Sequence, residues 1–236
     1  MIVSDAEVLA LIAACDGHPH GTKMRIALAL LRFTAQRAND CLGMERQRYD
    51  GVKIELRQEK TDLLIWVPAH KELRAILDAH LASYDGDHLV PGERGEKMPY
   101  SSFIRWFGEI RAVAATTLPP PPPGEPHLIE KQPRDFRRTA MVRMAEAGAL
   151  VQDIAAVSGH SIDQTQTILE TYIPRTYRMA QNAIRQWESG APGAELLAAL
   201  SPGQLEALAK ALAEQLRTGG QLPSGLALVP SPPPSD

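Results

Sequence analysis

The stretch V52-K-I-E-L-R-Q-E-K-T-D-L-L-I-W-V67 (residues 52–67) decides the fold class, because the apolar spacing changes there. Val52, Ile54 and Leu56 alternate with Lys53, Glu55 and Arg57, the period of a half-buried strand. QEKTD then forms a polar turn and LLIWV the returning strand, with Asp50-Gly51 as the turn before and Pro68 as the stop. Lys60 therefore sits at the tip of a β-hairpin.

Every other patterned segment has helical spacing. Residues 4–16 open with Ser4 and Glu7 three positions on, a capping box. Residues 23–35 (KMRIALALLRFTA) form a strongly apolar core helix; Gln36 and Arg37 follow, then a short helix over 38–44. Helices are expected over 70–84 and 99–115, separated by a polar loop at 85–98. Five consecutive prolines at 119–123 cannot be helical, so 116–130 is expected to be an inserted surface loop. Further helices are expected at about 133–147, 150–158, 161–171 and 174–187, with Gly148 and Gly159 ending two of them. The fold class is mainly α with one small antiparallel hairpin (α+β). The domain division is 1–188 for the folded domain and 189–236 for a C-terminal extension, with an amphipathic helix at about 201–217 and a disordered Gly/Pro/Ser-rich tail.

The 236 residues suffice for a sizeable core. Net charge is −3, which argues against a surface that coats nucleic acid indiscriminately. Cys15 and Cys41 lack metal-ligand spacing and are too few for a disulfide scaffold, so a reducing cytoplasm is expected. There is no run of eighteen apolar residues to cross a membrane and no signal-peptide pattern. No Asp, Glu or His cluster has ligand spacing, so neither metal nor other cofactor is expected. The exceptional feature is local. Lys131, Arg134, Arg137, Arg138 and Arg143 fall within thirteen positions against one acid, Asp135, a basic cluster suited to a specific anion.

Four segments carry a resemblance when read in order. TAQRANDCLGM, the hairpin with its following proline and helix, PRDFRRTAMVRMAEAGALVQDIAAVSGHS and ILETYIPRT are similar to the boxes of the tyrosine recombinases, the phage-integrase family. The resemblance runs from about Ser4 to Trp187. It implies the catalytic-domain fold of that DNA breaking-rejoining family and assigns Arg37 and Arg137 as the two catalytic arginines. Asp40 would support the first arginine, Lys60 would be the hairpin lysine, His160 would fill the position that is His or Trp in the family, and Tyr172 would be the nucleophile, with Tyr177 next. Arg134 stands where the family commonly has His. Arginine stays protonated, so it could add a phosphate contact but not act as a general base. The twelve-residue spacing from His160 to Tyr172 is longer than in many members and implies an added helical turn.

The implied function is site-specific DNA recombination or integration, with strand cleavage and rejoining through a 3′-phosphotyrosyl bond. The anion awaited by the arginines would be the scissile phosphate. The implied partners are double-stranded DNA and three further copies in a tetramer on that DNA, inside a prokaryotic or phage-host cytoplasm at the nucleoid. The chain begins almost where the catalytic domain should begin, so the resemblance leaves three alternatives: a catalytic-domain form, a clamp or DNA-bending function supplied by an accessory protein, or a truncated gene. A reading from a different class is a DNA-binding or regulatory relic that no longer cleaves.

Overall fold

The computed structural model describes residues 1–172 and, beyond them, only 180–181, 183–185, 201–203, 206–207 and 209–210. The chain divides into two compact units, Met1–Thr176 and Tyr177–Asp236. In the second, the described residues at 180–181, 183–185, 202–203, 206–207 and 209–210 are helical. Most of the expected helices over 174–187 and 201–217, and the tail, lie outside the described residues, as does Tyr177.

The first unit runs α1 (Asp5–Ala14), α2 (Gly21–Thr34), α3 (Ala38–Leu42), β1 (Lys53–Arg57), β2 (Leu64–Pro68), α4 (Lys71–Leu81), α5 (Tyr100–Thr117), α6 (Pro133–Glu146), α7 (Val151–Ser158) and α8 (Ile162–Tyr172). The capping box is formed as expected: Ser4 Oγ accepts from the Glu7 amide at 3.3 Å and Glu7 Oε2 from the Ser4 amide at 2.7 Å. α2 is buried nearly all round, and for that reason it can face several neighbours at once. It packs against α6, α3, α4, α1 and α5.

The hairpin is antiparallel, with Ile54 opposite Val67 and Leu56 opposite Ile65. All four side chains are buried, whereas Lys53, Arg57 and Trp66 face outward. This is the alternation read from the sequence for Ile54 and Leu56, whereas Val52, read as part of the same apolar face, precedes β1 and is exposed. Asp50 Oδ1 accepts from the amides of Val52 and Lys53 at 2.9 and 2.8 Å, and Gly51 takes the positive φ of 86° that the turn into β1 requires.

Two apolar clusters form. The larger joins α1, α2, α4, α5 and the inner hairpin face, with Phe103, Phe107 and Phe136 in contact at ring separations of 5.9 and 6.2 Å. The smaller holds Ala35, Ala140, Met141, Val142, Ile154 and Leu169 and binds α6, α7 and α8.

Two segments differ from expectation. Residues 85–98 are not a plain polar loop, since Leu89, Val90 and Met98 are wholly buried and the Leu89 amide bonds the Met44 carbonyl at 2.9 Å. Three scattered apolar residues carry no period, so the sequence pattern could not announce them. In the Pro-rich segment, α5 continues to Thr117, and 128–130 form a short 3-10 turn capped by His127 with Leu128 in the core. Only its middle is a spacer. Among the packing residues, Phe107 touches both other phenylalanines, so Phe107→Ala is expected to cost about 3–5 kcal/mol in urea unfolding.

Candidate active site

Three turns deliver the site. After α2, Ala35 adopts a left-handed conformation (φ 55°), which ends the helix and sends Arg37 out as the residue before α3. α6 begins with Pro133 at its first position and presents Arg134 and Arg137 three residues apart, on one face. α7 ends at Gly159, also left-handed (φ 72°), and the next residue is His160.

These turns bring Arg37, Arg137 and His160 together. Arg137 is 6% exposed, and its Nη2 lies 2.9 Å from the Ser158 carbonyl and 3.1 and 3.2 Å from the two ring nitrogens of His160. Its Nε and Nη1 are buried with no hydrogen-bond partner among the described residues. Burial, then repulsion from Arg37, pulls the Arg137 guanidinium down to about 10, with Asp40 and Cys41 acting in the opposite sense. Arg37 stands 3.6 Å from Asp40 and 3.5 Å from Gln58 Oε1. His160 is held down to about 4 by burial, then by Arg137 and Arg37, so its imidazole is neutral at neutral pH.

Asp40 has a second task that its position in the sequence did not reveal. Its Oδ1 accepts from the backbone amide of Glu59 at 2.9 Å, so the residue beside Arg37 also anchors the hairpin tip. Glu59 in turn bonds Asn39 and lies 3.3 Å from Lys97 Nζ. Lys60, the next residue, is exposed, and its amine makes no hydrogen bond or ion pair to the described residues.

The basic cluster of 131–143 is much smaller than its composition implies. Lys131 is buried against Glu7 at 2.6 Å, Arg138 pairs with Asp135 at 2.9 Å, and Arg143 pairs with Asp5 and Glu146 at 3.1 and 3.2 Å. Carboxylates brought in from α1 and from one turn away neutralise three of the five cations. Among the described residues, Arg134, exposed, and Arg137, buried, are left without one.

Tyr172, the last residue of α8, is partly buried against the smaller apolar cluster, with the Arg138 guanidinium 5.4 Å above its ring. It lines a cavity of about 530 Å³ with Ile2, Leu118 and Val142. Among the described residues no hydrogen bond or ring contact joins it to Arg37, Arg137 or His160. α8 is continuous from Ile162 to Tyr172.

Sequence reading missed the buried amides. Gln58, expected in a polar turn, is wholly buried, as is Gln36. Gln58 Nε2 donates to Gln36 Oε1 at 2.7 Å and to the Ser158 carbonyl at 2.9 Å; Gln36 Nε2 donates to the Val157 carbonyl at 2.7 Å. The only advance sign of either was adjacency, Gln36 to Arg37 and Gln58 to the turn of Lys60. Among the described residues, no group of three or more His, Cys, Asp or Glu is placed to hold a metal ion.

Two measurements check this geometry. Between pH 6.5 and 4 the unfolded chain binds a proton at His160 that the folded chain refuses, so stability is lost as pH falls through that window. His160→Gln is expected to flatten the acid limb of the stability profile, and the ring NMR signals of the wild type to titrate near 4. Gly159→Ala would force a side chain into the left-handed region with its Cβ 2.6 Å from Gln58 Nε2. A loss of about 1–3 kcal/mol is expected by thermal denaturation.

Residues 2–177 match the model of the phage integrase family. No curated protein matches the chain. Among solved structures, XerA recombinase superposes with a TM-score of 0.58 at 19% identity, over 81% of this chain and 65% of that one. A lambda integrase dimer bound to a COC′ core site gives 0.55 at 20% identity, over 68% and 57%. The Tn1549 transposon integrase with circular-intermediate DNA gives 0.60 at 16%, over 79% and 65%. The chain thus spans less than two thirds of each of these neighbours, and at such identities the likeness is one of fold. With the family match covering most of its length, the chain belongs to the phage integrase family, in the catalytic-domain fold of the tyrosine recombinases.

Proposed function

We propose that the protein is a DNA strand transferase, a site-specific recombinase or integrase that cleaves and rejoins DNA through a 3′-phosphotyrosyl bond without a metal. The observation that carries this reading is Arg137, a buried guanidinium with two nitrogens that have no partner among the described residues, beside a second cation, Arg37. Buried charge is retained at such cost where an anion completes it. A phosphodiester suits the geometry, since arginine forks match its oxygens and strengthen their hold as attack adds negative charge. Arg134, on the same face of α6 and without a carboxylate partner among the described residues, would add a third contact.

In the reaction the Tyr172 oxygen attacks phosphorus, a P–O bond to tyrosine forms, and the bond to the 5′-oxygen breaks. Lys60 gives its proton to that leaving oxygen. The phosphate's negative charge restores basicity to His160, which accepts a hydrogen bond or the phenol proton. A 5′-hydroxyl of a partner strand then reverses the steps. Double-stranded DNA would be the substrate, acted on by a homotetramer with an accessory clamp or bending protein. The lambda integrase neighbours, a dimer bound to a core site and a tetramer bound to a Holliday junction, support that assembly by analogy.

A second reading is a DNA-binding relic that does not cleave. It is favoured by the position of Tyr172 under Arg138 and against the apolar cluster. Trapping on nicked suicide duplexes from the protein's own genomic neighbourhood separates the two. A covalent adduct is expected with the wild type and none with Tyr172→Phe. An adduct that survives this change moves the nucleophile to another residue, Tyr177 first. Bound DNA with no adduct from the wild type selects the relic. Arg137→Ala is expected to slow adduct formation about 10²–10³-fold.

A further inference from the structure

We propose that Gln58 is a positioning residue for Lys60: its buried carboxamide fixes the lysine turn against the phosphate clamp. The inference rests on the reading of Lys60 as proton donor to the leaving 5′-oxygen, and deepens it.

The carboxamide uses both of its ends. Nε2 donates to Gln36 Oε1 at 2.7 Å and to the Ser158 carbonyl at 2.9 Å. That same carbonyl accepts from Arg137 Nη2 at 2.9 Å. Oε1 accepts from the Thr61 hydroxyl at 2.8 Å and stands 3.5 Å from Arg37 Nη1. One side chain therefore joins the residue after Lys60 to both arginines and to the turn that carries His160. Its backbone closes the loop as well: the Gln58 amide bonds the Leu63 carbonyl and its carbonyl accepts from the Asp62 amide, each at 2.9 Å. From the other side, Asp40 holds Glu59. Both neighbours of Lys60 are thus tied to the site, while Lys60 itself is free to reach.

The close approach also explains Gly159. A Cβ there would lie 2.6–2.8 Å from three atoms of the Gln58 carboxamide, so the glycine makes room for the glutamine as well as turning the chain. A turn residue needed only for solubility would not be wholly buried with every polar atom engaged.

The leaving group provides a test that a merely structural role would not pass. An alkoxide leaves as the base of an acid comparable to water, with a pKa of about 15.7, and needs a proton from a well-placed donor. With sulfur in the 5′-bridging position, the P–S bond breaks instead and a thiolate leaves, whose acid has a pKa of about 8.5 and needs none. Adduct formation is measured on duplexes with oxygen or sulfur at that position, for wild type, Lys60→Ala, Gln58→Leu and Thr61→Val, with DNA affinity and thermal unfolding recorded for each. Gln58→Leu is expected to slow cleavage of oxygen DNA about 10²-fold and to match wild type on sulfur DNA, as Lys60→Ala does. Affinity should stay within about 3-fold, a kcat rather than a binding effect. Thr61 is exposed, so Thr61→Val keeps the fold and decides the matter if Gln58→Leu does not fold; about 10-fold slowing on oxygen DNA alone is expected. Unchanged rates on oxygen DNA, or equal slowing on both substrates, would overturn the proposal. A wild type that forms no adduct with either substrate, or a Lys60→Ala variant that sulfur does not restore, defeats the underlying reading of the site instead.

Discussion

A guanidinium buried beside another cation is the constraint on which the arrangement of this protein turns. Arg137 gains little from its immediate surroundings: a backbone carbonyl, a neutral imidazole and a carboxylate that acts through space. Nothing short of a rigid frame would hold such a group in place, because a flexible one would let it swing to water. The frame is the seam between two apolar clusters. α2 supplies more of the larger one than any other element and ends in the left-handed residue that belongs to the smaller. Arg37 and His160 stand within two residues of the end or start of a packed helix and Arg137 lies in the second turn of α6, so their backbones inherit the stiffness of the core.

The same constraint sets the protonation of the site. Two cations and the loss of water hold His160 neutral, so its ring can accept from Arg137 and not repel it. Asp40 keeps the balance from becoming wholly repulsive, and by holding the hairpin tip it makes the electrostatic and mechanical supports the same residue.

What the sequence disclosed follows from which forces leave a period. The hairpin, the apolar α2 and the capped α1 were legible, because burial of one face imposes spacing and caps impose residue types. Arg37, Arg137 and His160 could be placed by their segments, and they meet in space. The true size of the basic cluster was not legible: the acids that neutralise Lys131 and Arg143 come from α1, more than a hundred positions away. Nor was Gln58, since a glutamine in a turn looks the same whether it faces water or a carbonyl from another helix. Leu89, Val90 and Met98 escaped for the same reason, being anchors of an irregular segment without repetition.

The buried pair of Glu7 and Lys131 bears on how this sequence can change over time. Glu7 belongs to the first turn of α1 and Lys131 to the entry of α6, and both are nearly closed to solvent. Replacing one partner strands the other as an uncompensated buried charge at a cost of about 3–5 kcal/mol, whereas replacing both with apolar residues of similar volume is often neutral. The two endpoints are separated by a valley of poorly folded intermediates. Descendants of this chain are therefore expected to keep both residues or to lose them together, and a lineage that has lost them has little prospect of returning one substitution at a time.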